Sequence, residues 1–234
     1  MSEFLSELLG TMMLILFGNG VVCNVVLKKT KGSGNDWLLI SVGWALAVTI
    51  PVYIFGPIGG GHFNPAFTLA VASIGNFEWT KVPMYITAQL IGAMVGAILV
   101  YIMYMPHFKA TEDEGSKLAC FATSPAIDNR VGNFVSEFIG TFVLVFALLG
   151  VQNTETVSGL GPIVVGLVIL GIGVSLGGTT GYAINPARDL GPRIVHSILF
   201  SREKISSEWR YAWVPIIAPI CGAVIAATIY TAIF

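Results

Sequence analysis

Phe4-Leu5-Ser6-Glu7-Leu8-Leu9-Gly10-Thr11 recurs as Phe134-Val135-Ser136-Glu137-Phe138-Ile139-Gly140-Thr141, and Asn64-Pro65-Ala66 recurs as Asn185-Pro186-Ala187. Five of the eight positions in the first pair match, and the offsets of 130 and 121 residues fit one tandem duplication whose second copy is nine residues tighter. We read repeat one over 1–110 and repeat two over 128–234. A polar loop at 106–130 joins them within a single unit, 1–234.

The sequence around the repeat is apolar. Charged residues make up 11% of the chain against 55% hydrophobic, with 12 Lys plus Arg, 13 Asp plus Glu and 27 Gly. The mean hydropathy is +0.80. A soluble domain carries about 25% charged residues because its surface must be wetted. With no basic excess and no polar low-complexity tract, soluble enzymes, nucleic-acid binders and disordered tails are excluded. An integral membrane protein remains.

Charge-free stretches cover 8–27, 37–77, 82–108, 138–154, 156–187 and 211–234. They are continuous and rich in Gly and Ala, whereas barrel strands would alternate polar and apolar residues in segments of about 10. A spanning helix needs roughly 20 residues. Four stretches fit one span each. The two long ones, 37–77 and 156–187, each hold one span followed by a remainder too short for a second crossing, which we read as a re-entrant half-span. The expected fold is all-α, with six transmembrane helices and two half-helices. Three spans per half is an odd number, so the second copy lies inverted. Inverted repeats with broken helices place a site near the midplane, where the half-helices meet.

Asn is a favoured helix N-cap and Pro a favoured first helical residue. Asn64-Pro65 and Asn185-Pro186 are therefore half-helix starts, each Asn oxygen occupied by capping and each amide N–H₂ free to donate across the gap. Two such donors beside two positive helix ends suit a polar, uncharged, hydrogen-bond-accepting solute and oppose cations. A lone Asn-Pro-Ala is an ordinary helix start; two copies at repeat-related places are not. Arg188 adjoins the second half-helix, and a charge at such depth is a functional candidate. The segment Met1–Gly10 lacks the basic region of a cleavable signal peptide, so the first span is retained. Cys23 and Cys221 lie in apolar runs and Cys120 in a polar loop, with no expected disulfide. No Cys/His spacing suggests a metal.

With Gly60-Gly61-His62-Phe63-Asn64-Pro65-Ala66, Gly181-Tyr182-Ala183-Ile184-Asn185-Pro186-Ala187-Arg188-Asp189 and the paired Glu7 and Glu137, the chain resembles the aquaporin and glycerol-facilitator (major intrinsic protein) family over essentially its whole length. The resemblance implies a narrowest point lined by Trp44, Gly173, Tyr182 and Arg188. It implies a ladder of pore-facing carbonyls from Gly60, Gly61, His62 and Phe63 and from Gly181, Tyr182, Ala183 and Ile184. It also implies that Glu7 and Glu137 accept loop N–H groups. Trp, Tyr and Gly walls imply a wide, amphipathic slot. Asp189, Arg193 and Pro215-Ile216 resemble the glycerol-facilitator branch, whereas Tyr182 stands where well-known glycerol channels carry Phe, which makes one side more polar. Gly92 and Gly96 form a small-xxx-small pattern for close helix packing.

The function implied is a passive channel for small uncharged polar solutes and water: glycerol, urea, short polyols or protonated lactic acid. The implied partners are the solute, the bilayer and three further copies in a homotetramer, with no cofactor and no nucleic acid. The implied location is the cell membrane with cytoplasmic termini, although this puts Lys28, Lys29, Lys31, Lys109, Lys117, Arg130, Arg202, Lys204 and Arg210 outside against Lys81 inside, the reverse of the usual bias. The alternative is an ion-coupled secondary transporter, which would need a coupling acid at mid-membrane. An intramembrane enzyme has no motif to support it.

Overall fold

The computed structural model describes residues 1–154 and 159–234. Among these, the spans are α1 (Glu3–Val26), α2 (Trp37–Gly59), α4 (Val82–Ala110), α6 (Arg130–Gln152), α7 (Gly161–Leu176) and α9 (Val214–Ile233). The half-helices are α3 (Pro65–Ser73) and α8 (Pro186–Leu199), and a short helix α5 (Glu114–Ala119) sits in the joining loop. The protein is thus an all-α, multi-pass membrane protein; among the described residues α1, α2, α4, α6 and α9 are long and apolar enough to cross a membrane, α7 is a shorter apolar helix, and α3 and α8 are half-helices.

Several boundaries differ from the sequence reading. The α4 helix continues through Pro106 to Ala110, because Phe108 in its last turn packs against Phe121 and Phe200 at centroid distances of 5.6 and 5.8 Å. The joining loop is not wholly irregular, since Asp113 caps α5 by accepting from Ser116 N at 2.6 Å. Of the stretch 156–187, positions 156–158 lie outside the described residues. Its span α7 has 16 residues, about 24 Å at 1.5 Å per residue. The second half-helix is not the remainder of that stretch but follows it: 181–185 is an irregular turn with Gly181, Tyr182 and Ile184 at positive φ, and α8 carries Arg188, Asp189 and Arg193.

Packing is inside-out relative to a soluble bundle. Ser6, Glu7, Thr11, Asn19, Gln89, Glu137 and Thr141 are buried, while Leu46, Ile102, Leu167 and Ile229 are exposed. In hydrocarbon every polar group must find an internal partner, which drives the polar residues inward. The two halves interlock: α1 packs on α4 and α2, α6 on α9 and α7, while half-helix α3 packs mainly on α9 and α8 mainly on α4. Small residues permit the closest crossings. A Cβ on Gly92 would overlap the Leu8 carbonyl, and one on Gly222 would overlap the Phe138 carbonyl.

We expect Gly222→Ala to lower stability by about 1–3 kcal/mol, because the added methyl must push α9 from α6. By contrast Gly20→Ala, with nothing within 4 Å of its Cβ, is expected to be neutral or slightly stabilising. Thermal unfolding of the detergent-solubilised variants checks both.

Candidate functional site

Residues 62–64 and 181–185 carry neither helix nor sheet bonding, so their buried backbone needs other partners. Buried carboxylates supply them. Glu7 accepts from His62 N at 2.9 Å and Phe63 N at 2.8 Å, and from Gln89 Nε2 at 2.8 Å. Glu137 accepts from Ala183 N and Ile184 N, both at 2.9 Å, and from Thr180 Oγ1 at 2.7 Å. These bonds hold strained backbone: Phe63, Tyr182 and Ile184 lie at φ of +46°, +36° and +43°. Such geometry costs about 1–3 kcal/mol per residue, and a hydrogen bond to a charged group contributes about 1.5–3 kcal/mol. One helical turn beyond each Glu, Gly10 and Gly140 clear space for the same loop residues. A Cβ on Gly10 would overlap the Phe63 ring, and one on Gly140 would lie 3.1 Å from Ile184 Cγ2.

At the centre, Asn64 Oδ1 accepts from Ala66 N at 2.9 Å, while Asn185 Oδ1 accepts from Ala187 N at 3.0 Å and Arg188 N at 3.2 Å. Both residues cap their half-helices as read from the sequence. The amides are not wholly free, however: Asn64 Nδ2 donates to Ile184 O and Asn185 Nδ2 to Phe63 O, each at 2.8 Å. One proton of each amide therefore ties one loop to the other, and the second proton is left for a solute. The reciprocal tie also occupies the Phe63 and Ile184 carbonyls, two of the eight in the expected ladder.

Toward the far end, the Arg188 guanidinium carbon lies 4.2 Å from the centroid of the Trp44 ring, and Arg188 Nη1 donates to Phe121 O at 3.4 Å. Tyr182 joins them on the cavity wall. Gly173 stands behind Tyr182: a Cβ there would lie 3.0 Å from the Tyr182 hydroxyl and 3.0 Å from Ser41 Oγ. Its carbonyl accepts from Trp37 Nε1 at 2.7 Å, and the Trp37 ring meets Tyr182 edge-on at 5.7 Å. The phenol thus fills the space that Gly173 vacates, so Gly173 seats Tyr182 and does not itself widen the slot. The Tyr182 hydroxyl is buried on the side of Gly173, next to Ser41 Oγ. It faces the Gly173 side, leaving the ring rather than the hydroxyl toward the cavity. Trp37 was not among the expected site residues; the only signal for it was its place seven residues before Trp44.

Trp44, Tyr182 and Arg188 border a cavity of about 550 Å³ that also takes in Gln152, Pro57, Pro162 and both Asn residues, whereas Gly173 and Trp37 do not line it. Gly60, Gly61, His62, Phe63, Ala183 and Ile184 line it, whereas Gly181 does not. Pro65, Ala66, Pro186 and Ala187 are buried behind the two Asn residues. Asp189 is buried as well and accepts from Thr123 and Arg193, so it supports the loops without bordering the cavity.

Residues 1–230 match the family description Major intrinsic protein. The chain is 53% identical over 234 residues, all of both chains, to a probable glycerol uptake facilitator protein of Thermotoga maritima. It is 49% identical to the glycerol uptake facilitator protein of Bacillus subtilis over 100% of this chain and 85% of that one. Among solved structures, the aquaglyceroporin from Plasmodium falciparum superposes with a TM-score of 0.87 at 35% identity, covering 97% of this chain and 94% of that one.

Glu137→Gln leaves one acceptor oxygen and turns an N–H₂ group toward a backbone N–H. We expect it to lower stability by about 1–3 kcal/mol and to reduce solute flux per folded channel; thermal unfolding and vesicle flux of the same preparation check the pair of effects.

Proposed function

The chain belongs to the major intrinsic protein family, in its glycerol uptake facilitator branch, and on that premise we propose that it is a passive channel carrying glycerol and other small uncharged polar solutes, with water, across the cell membrane. The observation that supports this reading most directly is the cavity itself, bordered by Asn64 and Asn185 in its middle and by Trp44, Tyr182 and Arg188 beyond them. In this reading Trp44, Tyr182 and Arg188 form the selectivity filter, with Gly173 as the seat of Tyr182. Glycerol has one face of C–H groups and one of hydroxyls. The aromatic faces receive the first. Arg188, whose guanidinium donates only to Phe121 O among the described residues, and the free loop carbonyls receive the second.

Discrimination follows from the same parts. A cation meets the Arg188 charge and then the positive ends of α3 and α8, while the Asn amides offer only protons. A neutral acceptor is drawn to those same donors. Urea, short polyols and protonated lactic acid carry suitable acceptors too. Because the Tyr182 hydroxyl points toward Gly173, the solute meets a Phe-like ring, which favours glycerol among them. The same reading gives a homotetramer with both termini cytoplasmic, so that the basic residues gathered with Lys28, Lys117 and Arg202 face outward.

An ion-coupled transporter would need an acid that binds and releases its ion during transport. Glu7 and Glu137 each accept three hydrogen bonds, and Asp189 is paired with Arg193 at 2.7 Å. All three are committed to structure.

Stopped-flow light scattering of proteoliposomes tests the proposal. Glycerol flux is expected to rise linearly with concentration and to need no ion gradient; saturating, gradient-dependent flux would establish the transporter instead. Arg188→Ala is expected to admit larger polyols and cations. Tyr182→Phe is expected to change the glycerol-to-urea ratio by less than about twofold, the hydroxyl lying toward Gly173 and Ser41 rather than the cavity. A larger shift would show that it reaches the solute.

A further inference from the structure

Resting on the filter reading of Arg188, we infer that Thr123, Asp189 and Arg193 form a buried clamp that aims the Arg188 guanidinium, making Thr123 and Arg193 positioning residues for solute selectivity. The chain of contacts is short. Arg188 Nη1 donates to the Phe121 carbonyl, whose second donor is Asn19 Nδ2 of α1 at 3.3 Å. Two residues on, every polar atom of Thr123 is held by α8. Its N–H and hydroxyl donate to Asp189 Oδ2 at 2.8 and 2.7 Å, and its carbonyl accepts from Arg193 Nη2 at 2.7 Å. Arg193 grips Asp189 through Nε at 2.7 Å and Nη2 at 2.9 Å and reaches Ser207 O with Nη1 at 2.6 Å. The helix that carries Arg188 therefore also fixes the strand of loop that Arg188 leans on.

Two considerations separate this from a device for stability alone. First, Asp189 and Arg193 are both fully buried. A buried ion pair gains little net stability over apolar packing of the same volume, because removing both charges from water offsets their attraction. Its geometric role is then the better explanation of its presence. Second, the pair exists in only one copy of the repeat. Aligned on the two Asn residues, Arg188, Asp189 and Arg193 correspond to Phe67, Thr68 and Ala72. The half-helix α3 packs in the bundle without any of these charges, so the half-helix architecture does not require them. They accompany the half that carries the filter arginine.

The test measures glycerol and xylitol flux in proteoliposomes for Thr123→Val, which keeps the β-branched shape and deletes the hydroxyl, beside Thr123→Ser, which restores it. Thr123→Val is expected to raise xylitol flux relative to glycerol by about threefold or more, while Thr123→Ser keeps the wild-type ratio. Arg193→Lys, which retains the charge but loses the planar fork, is expected to shift the ratio in the same direction. Added to Arg188→Ala, Thr123→Val is expected to change the ratio no further, as contacts acting through one group are not additive. A wild-type ratio in both Thr123→Val and Arg193→Lys, or an effect that adds fully to Arg188→Ala, would overturn the clamp. If Arg188→Ala alone left the ratio unchanged, the filter reading itself would fall, and the clamp would lose its purpose with it.

Discussion

Two buried carboxylates make the rest of this structure possible. A chain that enters a bilayer and turns back exposes backbone N–H and C=O groups where no water can satisfy them. Glu7 and Glu137 each take two consecutive loop N–H groups, and the residues they hold include Phe63 and Ile184 in left-handed geometry. With the N–H groups engaged inward, the carbonyls are left to accept from elsewhere. The Asn64 and Asn185 amides use two of those carbonyls to lock the loops to each other. The carboxylates thus offset the cost of the strained turns and help fix where the two half-helices meet.

Some parts of the two halves match and others do not. The Glu, Gly and Asn residues act in matching pairs, and so do Gly92 and Gly222, which meet the carbonyls of Leu8 and Phe138. The second half-helix breaks the match. Phe67 in one copy corresponds to Arg188 in the other, and Thr68 and Ala72 to the Asp189–Arg193 ion pair. The matched residues hold the two loops in like geometry, while the unmatched Arg188, Asp189 and Arg193 gather at one end of the pair.

How much of this could be read in advance varies residue by residue. The two half-helix starts were legible because N-capping is local: Asn64 bonds a group two residues away, and Asn185 groups two and three away. The free N–H₂ expected of each Asn was half wrong, because the partner of each amide lies 120 or 122 residues off. Gly173 was read as widening the slot. In the structure Gly173 acts through the Tyr182 phenol it accommodates, and the position of that phenol depends on how α7 packs against the re-entrant loop and on Ser41 and Trp37 of α2. Arg193 was noticed only as a mark of resemblance; its bonds to residues 70 and 14 positions away left no trace in spacing.

The sequence by itself determined the membrane setting, the all-helical class and the capped half-helix starts, because hydropathy, length and capping act within one segment. Only the tertiary structure decided which carbonyls remain open to the cavity, which way Tyr182 faces and what steadies Arg188. Those outcomes rest on hydrogen bonds and close contacts between segments far apart in the chain. Their partners are set by how the helices pack, and no local rule specifies that.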